Sequence, residues 1–424
     1  MNPRRVVITG IGPVTRAGVG ADSLFSALCD NQCPVEPVPA RFLEHYPFKS
    51  RFHVPAPDVD FSRMGIRTPM ANMLQPEDVM TLVGTRLALE DAGVELVAEQ
   101  SRLRPAGSAH YHIVIGTGMG GLEAAFRGRT AHCIRDGDSV AAFSTGAPRF
   151  SRMVVPQAMP SSVAAWVSML FGSHGPARTV NASCASGTVA VGEAFRSIKD
   201  GYCDDALAGG VEHLDDSLGT VMRGFDMLGA LTRSASGRPT PFSQNRTGFL
   251  FAQGGACMLV LEEYEKARSR GARIYAELVD YYSNSDAYSI VRTDPDAMKT
   301  IELLSHFASL GRIDYINSHG TGTKANDETE AHAVRTVFGG ARDQPLVNAT
   351  KGILGHTIGA AGAIETAVAA MTIRAGVVHG SDVEEPMEDL NLVRETLRYP
   401  VECALSLSCG FGGHNAGLLL QRCE

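Results

Sequence analysis

One cysteine lies in a sequence setting that suits a catalytic nucleophile. Cys184 occupies the segment Asn-Ala-Ser-Cys-Ala-Ser-Gly, where a β-branched run ends and a stretch with helical apolar spacing begins. At such a strand-to-helix turn, the positive end of the helix dipole favours the thiolate, which is the nucleophilic form. Most free cysteines are small buried core residues, so this segment alone is also compatible with a structural role.

Two histidines further along the chain have a similar setting. His319 lies in Ser-His-Gly-Thr-Gly-Thr and His356 in Lys-Gly-Ile-Leu-Gly-His, and each motif follows a strand-like segment. Enzymes of the α/β class place chemistry where strands end and glycine turns begin. A lone histidine is usually structural. Two histidines and Cys184, each at a glycine-bounded strand end, are much harder to explain as structural residues, and together they predict a catalytic site with Cys184 as the nucleophile.

A dinucleotide-binding motif is a competing interpretation. The segment Gly-Thr-Gly-Met-Gly-Gly at 116–121 fits G-x-G-x-x-G and follows a strand-like run at 112–115. Asp136 and Asp138 follow the motif at the sequence separation expected for a ribose contact. However, they lie in a polar, turn-like stretch and not at the end of an apolar strand. Short matches arise easily in a chain with 45 glycines. We therefore interpret 116–121 as a turn that lets a helix pack closely on a sheet.

Composition limits the class of protein. With 424 residues, 44% hydrophobic and 20% charged, the chain is long enough for one large core or two fused halves. It has no apolar run near the roughly 20 residues of a membrane helix and no cleavable signal, so we expect a cytoplasmic protein without membrane contact. A net charge of −8 argues against nucleic-acid binding.

The cysteines point to a reducing compartment. There are nine, an odd number, and they are scattered along the chain. Cys29 and Cys33 are close in sequence, but no second pair with ligand spacing completes a zinc site. We therefore predict neither disulfides nor a metal.

Strand-like and helical segments alternate from end to end, which predicts a layered α/β fold. The strands are predicted at 6–9, 112–115, 178–182, 205–209, 257–261, 273–279, 314–317, 346–349, 404–408 and 416–420. The helices are predicted at 21–29, 77–92, 161–171, 185–199, 327–338 and 359–373. The charged segment 263–271 predicts an exposed helix joining two halves, 1–265 and 266–424. The Pro- and Phe-rich stretch 33–75 is predicted to be an irregular surface excursion.

The three motifs together carry a family resemblance. Asn-Ala-Ser-Cys-Ala-Ser-Gly, His-Gly-Thr-Gly-Thr-Lys-Ala-Asn-Asp and Lys-Gly-Ile-Leu-Gly-His-Thr-Ile-Gly-Ala-Ala-Gly, in that order, resemble the Cys-His-His motifs of elongating β-ketoacyl-acyl carrier protein synthases. Gly-Phe-Gly-Gly-His-Asn at 410–415 is similar to the family's C-terminal glycine loop, and the resemblance covers essentially the whole chain. It implies the thiolase fold, two related five-layered α-β-α-β-α halves with the active site between them, and a dimer as the usual unit.

The resemblance also implies roles for individual residues. Cys184 would accept an acyl group from the phosphopantetheine of an acyl carrier protein. His319 and His356 would hold the malonyl thioester carbonyl and stabilise the enolate formed as carbon dioxide leaves. The backbone N–H groups of Cys184 and Phe411 would form a second oxyanion hole, and the Phe411 ring would gate the acyl pocket. No cofactor is implied beyond the carrier's own phosphopantetheine.

Other matched positions are expected to support the site. They are the charge pair Lys351 and Glu365, which would orient the histidine loop, the pantetheine contacts Thr321 and Thr323, and the basic carrier-docking residues Arg63 and Arg67. Each has an ordinary alternative: Lys351 and Glu365 could form a surface pair, the threonines could be structural, and Phe411 could belong to the core.

Several positions depart from the family pattern. Ser243, Thr247 and Gln253 stand where acids are usual, Cys409 replaces an aromatic residue and His414 replaces threonine. The segment 286–291 also lacks the usual His and Thr. These changes spare the Cys-His-His set but alter its surroundings, and Lys324-Ala-Asn-Asp327 resembles the ketosynthase subunits of type II polyketide systems. We therefore predict a specialised type II polyketide ketosynthase, paired with itself or with a chain-length-factor-like homologue.

Three alternatives remain open. The first is a housekeeping fatty-acid ketosynthase. The second is a thiolase-like acyltransferase, which would use a second cysteine such as Cys409, although the pair of histidines argues against it. The third is a non-catalytic chain-length subunit, a role that usually goes with loss of the nucleophile, whereas Cys184 is present.

Overall fold

Ten strands form one mixed sheet. The computed structural model describes residues 4–44, 46–66, 68–99, 102–106, 110–121, 153–216, 218–381 and 383–423. The strands of the sheet are β1 (Val6–Val14), β2 (His112–Gly116), β3 (Ala177–Val180), β4 (Asp205–His213), β5 (Gly254–Glu263), β6 (Ala276–Ser285), β7 (Tyr315–Asn317), β8 (Leu346–Asn348), β9 (Cys403–Gly410) and β10 (His414–Gln421). Each contains or overlaps one of the ten predicted strands, so those predictions are confirmed.

The sheet consists of two five-stranded halves with the same topology. Its order is β8-β7-β9-β10-β6-β1-β5-β4-β2-β3. In the first half, β1 runs antiparallel to β5 and β5 to β4, while β4, β2 and β3 are mutually parallel. In the second half β6, β10, β9, β7 and β8 repeat these pairings in the same order. The halves meet through the short antiparallel pairing of β1 with β6.

Eight helices of eight or more residues lie in the described part of the chain. They are α1 (Ala21–Cys29), α2 (Pro76–Asp91), α3 (Ser162–Phe171), α4 (Ser186–Lys199), α5 (Thr220–Met227), α6 (Met298–Leu310), α7 (Lys324–Phe338) and α8 (Ala361–Ala375). The six predicted helices are confirmed to within a few residues, and α5 and α6 were not predicted. Shorter helical segments are Ala40–Leu43, Ser62–Met64, Thr68–Ala71, Val154–Ala158, Ser183–Ala185, Tyr264–Ser269, Lys351–Leu354 and Ile358–Ala360.

Helices α4 and α8 form the middle of five layers. They pack against each other, and each contacts strands of both half-sheets. Gly187 permits this approach, because a Cβ there would lie 2.6 Å from the backbone nitrogen of Ala363. Helices α2 and α3 cover the outer face of the first half-sheet, and α6 packs with α7 on the outer face of the second. The predicted thiolase fold is confirmed, with the five layers built jointly by the two halves.

The stretch 33–75 is more than a surface excursion. Glu36–Pro37 pairs with Phe52–His53 in a small antiparallel ladder. Phe42 and Val54 are almost fully buried, and Phe42 belongs to the same apolar cluster as Cys184. The surface prediction is therefore wrong for these residues, because Phe42 packs in the apolar cluster of Cys184 and Val54 packs in a separate cluster with Leu250 and Ala252.

Two helices relate to the predicted link between the halves and to the expected lack of a membrane-spanning helix. The predicted helix between the halves is present at Tyr264–Ser269. The stretch 358–375 is long and apolar enough to cross a membrane, but 89% of it is buried inside the protein. It includes α8 of the middle layer, and we interpret it as a core helix.

Candidate active site

Cys184, His319 and His356 line one cavity of about 370 Å³. Cys184 comes from the first half of the chain and both histidines from the second, so the cavity lies where the halves meet. Thr321, Thr323 and Phe411 line the same cavity. The structure therefore brings together six of the residues singled out from the sequence.

A strained turn presents Cys184. The residue lies in the short helix Ser183–Ala185, directly before α4, and Ser183 has a φ of 54°. Hydrogen bonds within the turn hold this conformation: Ser183 N donates to Asn181 Oδ1 at 3.1 Å, and Ala182 N donates to Ser186 Oγ at 2.9 Å. A left-handed serine persists only where its surroundings fix it. The small flanking residues thus aim the thiol into the cavity.

Burial determines the protonation state of the nucleophile. It raises the pKa of the Cys184 thiol to about 11, although the Ser183 hydroxyl, the Lys351 charge and the Phe411 backbone N–H act in the opposite direction. Burial thus acts against the expected effect of the helix end on the thiolate, because the thiolate loses its hydration in the cavity wall. The resting group is a thiol that loses its proton as it attacks.

His319 is held through its backbone and its ring. Its N–H donates to Glu330 Oε1 at 2.7 Å, and Lys351 Nζ donates to its carbonyl oxygen at 2.8 Å. Lys351 Nζ also contacts His319 Nδ1 at 3.2 Å. Because an ammonium group can only donate, Nδ1 is the acceptor, and the proton of the neutral ring is on Nε2.

His356 has the same tautomer as His319, but a different group donates to its Nδ1. The backbone N–H of Ile358 donates to His356 Nδ1 at 3.3 Å, which again leaves the proton on Nε2. The Phe249 ring packs edge-on against the imidazole, with the ring centroids 5.2 Å apart. Ile358 itself has a φ of 48°, an unusual conformation for a β-branched residue.

Both imidazoles are neutral. Burial, and then the Lys351 charge, lower the pKa of His319 and of His356 well below the usual value, and His356 lowers that of His319 further. The two rings are nearly perpendicular, with centroids 5.5 Å apart. Each ring therefore offers one Nε2–H donor, and both residues line the same cavity.

Lys351 and Glu365 form a buried ion pair behind the histidines. Each side chain is only 2% exposed, so the alternative of a surface pair is wrong. Burial raises the pKa of Glu365 to about 7, although the charge of Lys351 opposes this shift. Since Lys351 also contacts His319 at two atoms, the pair orients that ring without lining the cavity.

Phe411 and the two threonines line the cavity, but Phe411 reaches the protein surface whereas Thr321 is buried. The Phe411 residue is 36% exposed, so it is not a core residue, and its ring centroid is 6.3 Å from that of Phe225. The hydroxyl groups of Thr321 and Thr323 are hydrogen-bonded at 2.9 Å. These positions suit a gate and a contact for an extended thiol arm.

Helix α7 contributes two acids that the sequence analysis missed. Glu330 accepts hydrogen bonds from the backbone N–H groups of His319 and Gly320, and Asp327 accepts from that of Gly322. The signal was available: acids three residues apart on one helix face, in the first turns of the helix that follows a histidine loop. Buried backbone N–H groups in such a loop need acceptors.

The glycine segment 116–121 is a turn that binds a carboxylate of the protein itself. Glu212 Oε2 accepts from Gly118 N at 2.7 Å, and Glu212 Oε1 accepts from Met119 N at 3.0 Å. The turn thus uses N–H groups that a pyrophosphate would need in a dinucleotide site. Asp136 and Asp138 lie outside the described residues.

The departures from the family pattern fall into two groups. Thr247 and Cys409 line the cavity, whereas Ser243 and Gln253 are buried outside it and His414 is exposed. Gln253 Nε2 donates to Asp215 Oδ1 at 3.0 Å. An acid in place of Gln253 would set two carboxylates against each other, so this amide matches its neighbour.

The predicted docking residues are not tested by the structure. Arg67 and the side chain of Arg63 lie outside the described part of the chain, although the backbone of Arg63 belongs to the short helix Ser62–Met64. Eight cysteines within the described ranges, including Cys29 and Cys33, are free thiols. Those ranges contain no cluster of three His, Cys, Asp or Glu side chains suited to a metal ion.

Two protein-family models match most of the chain. A model of the beta-ketoacyl synthase N-terminal domain matches residues 3–267, and a model of the C-terminal domain matches residues 275–381. The chain belongs to the beta-ketoacyl synthase family. This confirms the resemblance drawn from the Cys-His-His motifs, and with it the enzyme class of β-ketoacyl-acyl carrier protein synthases.

Beta-ketoacyl synthases of two pathways are similar to the chain over nearly their full length. The 3-oxoacyl-[acyl-carrier-protein] synthase 2 of Coxiella burnetii is 31% identical, covering 100% of this chain and 99% of the relative. A putative polyketide beta-ketoacyl synthase 1 of Streptomyces virginiae is also 31% identical, with the same coverage. Fatty-acid and polyketide relatives are therefore equally similar in sequence.

Solved structures of similar shape come from type II polyketide systems. One is a complex of an acyl-carrier protein with its ketosynthase bound to a hexaketide, with a TM-score of 0.83 and 26% identity over the full length of both chains. Another is the ishigamide ketosynthase/chain length factor, with a TM-score of 0.84, 28% identity and the same full coverage.

Proposed function

We propose that this beta-ketoacyl synthase extends an acyl chain by decarboxylative Claisen condensation with malonyl-acyl carrier protein. The observation that carries the proposal is the shared cavity of Cys184, His319 and His356, with both imidazoles neutral and protonated at Nε2. The thiol stores the acyl group, and the two N–H donors stabilise negative charge on one oxygen.

The first step is transfer of the acyl group. The Cys184 sulfur attacks the thioester carbonyl of the acyl carrier protein, forming a new C–S bond, and the carrier's thiol leaves with the proton that Cys184 gives up. The negative oxygen of the tetrahedral intermediate lies where the N–H groups of Cys184 and Phe411 can donate to it. Because the phosphopantetheine arm carries both substrates, Thr321 and Thr323 in the cavity lining are proposed to bind it.

The second step breaks and forms carbon–carbon bonds. His319 and His356 donate from Nε2 to the thioester oxygen of malonyl-carrier, so the electron pair released as carbon dioxide leaves is held as an enolate. The enolate carbon attacks the acyl carbonyl on Cys184, and the C–S bond breaks as the ketone forms. Cys184 then takes up a proton. Atoms and charge balance without a metal or a redox cofactor.

We further propose that the enzyme serves a specialised type II polyketide pathway. Support comes from Thr247 and Cys409, two departures from the usual pattern that line the cavity. The ishigamide relative combines a ketosynthase with a chain length factor. The proposed partners of this chain are an acyl carrier protein and either a second copy or a chain-length-factor-like homologue.

The division of the chain and its location are also proposals. We place the boundary between the halves at residues 265 and 266, within the helix Tyr264–Ser269, which separates β5 from β6. A cytoplasmic location is proposed because the eight cysteines of the described ranges are free thiols and the apolar stretch 358–375 is a core element.

The first experiment asks whether Cys184 carries the acyl group. We expect incubation with an acyl-carrier thioester to add the acyl mass to the tryptic peptide containing Cys184, as measured by mass spectrometry. Cys184→Ala should remove the adduct, and Cys257→Ala should keep it, since Cys257 is fully buried in the core. An adduct that survives Cys184→Ala would refute the proposal.

A further inference from the structure

A buried carboxylate joins the two halves of the site. Glu212, at the end of β4, is 1% exposed. Its Oε2 accepts from Gly118 N in the first half at 2.7 Å and from Gly359 N in the second half at 3.0 Å. Its Oε1 accepts from Met119 N at 3.0 Å. One side chain therefore satisfies three backbone N–H groups that come from two distant segments of the chain.

Gly359 is next to the residue that fixes the tautomer of His356. The N–H of Ile358 donates to His356 Nδ1, and Ile358 has a φ of 48°. Such a conformation is strained in a β-branched residue and persists only when its neighbours hold it. The hydrogen bond from Gly359 N to Glu212 anchors the residue that follows Ile358.

The packing around the Glu212 carboxylate leaves no room for a side chain at Gly118 or at Gly359. A Cβ at Gly118 would lie 2.6 Å from Glu212 Oε2, and a Cβ at Gly359 would lie 2.7 Å from the same atom. The glycine at 359 would also bring its Cβ within 2.3 Å of Gly118 N. Both glycines are therefore needed for the two segments to meet on Glu212.

We propose that Glu212 is a positioning residue for His356: by holding Gly359, it keeps the Ile358 N–H on Nδ1 and the donating proton on Nε2. The inference rests on the proposed function, in which that Nε2–H stabilises the enolate. The turn of Cys184 also contacts the segment that Glu212 holds, because Asn181 Nδ2 donates to Gly118 O at 2.7 Å and Ser186 Oγ donates to Thr117 O at 3.3 Å. The turn that presents Cys184 has internal hydrogen bonds of its own, from Ala182 N to Ser186 Oγ and from Ser183 N to Asn181 Oδ1.

The kinetic test measures decarboxylation and acylation separately in two variants of Glu212. Glu212→Ala should lower kcat for malonyl-carrier decarboxylation about 10- to 100-fold, the value of one charge-assisted hydrogen bond. Acylation of Cys184 should fall by a clearly smaller factor, because the hydrogen bonds within its own turn do not involve Glu212. Glu212→Gln should recover much of the loss, because an amide oxygen can still accept from Gly118 and Gly359.

Asp216 provides the matched control. It too is buried and accepts three backbone N–H groups, those of Leu218, Thr220 and Val221. Asp216→Ala should leave the ratio of decarboxylation to acylation at the wild-type value. If Glu212→Ala reduced the two reactions by the same factor, or if Asp216→Ala changed their ratio equally, Glu212 would have only a structural role and the inference would be overturned.

A spectroscopic measurement decides the inference independently of activity. In protein labelled with ¹⁵N-histidine, the His356 signals, assigned with His356→Ala, should report a proton on Nε2 in wild type and a shift towards the Nδ1–H form in Glu212→Ala. An unchanged tautomer in Glu212→Ala would overturn the positioning role. If wild type released no carbon dioxide, the proposed function would fail, while the tautomer measurement would still decide the role of Glu212.

Discussion

At the scale of single residues, burial sets the protonation state of the reacting groups. The two imidazoles are kept neutral and Cys184 is kept as a thiol, because each charged form would lose its hydration in the cavity wall. The charge of Lys351 acts on both kinds of group, since it disfavours protonated imidazole and favours thiolate. A neutral ring with its proton on Nε2 is the form that can donate to an enolate oxygen.

The state of Cys184 gives a prediction about pH. A pKa of about 11 means that the thiolate fraction grows as the pH rises, so alkylation of Cys184 by iodoacetamide should accelerate roughly tenfold per pH unit between pH 7 and pH 9. Peptide mass spectrometry at timed intervals measures this rate. A rate that levels off below pH 9 would mean that the end of α4 outweighs burial.

At the scale of elements, the loop of His319 depends on helix α7. Glu330 accepts from the N–H groups of His319 and Gly320, and its side chain is nearly fully buried. The acid therefore does for the first histidine what Glu212 is proposed to do for the second. Both acids accept hydrogen bonds from backbone N–H groups of the loops, and they act on the imidazoles only through those loops.

Removal of Glu330 should affect both stability and chemistry. Glu330→Ala leaves two buried N–H groups without their acceptor, so we expect a loss of about 2 kcal/mol in the free energy of unfolding and more than about tenfold in decarboxylation. Glu328→Ala, on the same helix but with a side chain that is 65% exposed, should cost less than about 1 kcal/mol. Urea titration measures the first effect. Equal losses in the two variants would contradict the role of Glu330.

Most elements of the fold were predictable because their signal is local. The ten strands and six of the helices are visible in the sequence as short β-branched runs or helical stretches, and glycines such as Gly172, directly after α3, mark where they end. The motifs then placed Cys184 and the histidines on strand ends, and the structure brings them into one cavity. Helices α5 and α6 were not predicted, and their segments had been assigned to no helix or strand.

The support of the site could not be predicted from local sequence. Glu212 and Glu330 are ordinary acids within a strand and a helix, and their partners are known only once distant turns are in contact. The same holds for Cys184, whose sequence suggests a thiolate but whose buried surroundings disfavour one. Long-range burial and hydrogen bonding decide these properties, and neither has a short-range pattern.

At the scale of the whole molecule, the site requires both halves. The nucleophile comes from the half built on β1 to β5, and the two imidazoles come from the half built on β6 to β10. Helices α4 and α8 pack against each other between them and fix the distance from Cys184 to His356. Because the halves repeat one topology, the cavity lies between equivalent parts of the two sheets.

Association with the carrier protein gives a prediction at this scale. If Arg63 and Arg67 bind the acidic carrier, Arg63→Glu with Arg67→Glu should raise KM for carrier substrates about tenfold at low salt, and less at high salt. The rate of Cys184 alkylation should not change. Arg268→Glu, an exposed control on the helix between the halves, should leave KM unaltered. An unchanged KM in the double variant would exclude this docking site.

The most direct measurement of the central claim separates the two chemical steps. In Cys184→Gln, carbon dioxide release from malonyl-carrier should continue while no condensation product forms, because the imidazoles do not need the thiol to stabilise an enolate. Adding His356→Ala should stop carbon dioxide release. Loss of decarboxylation in Cys184→Gln alone would contradict the assignment of this step to His319 and His356.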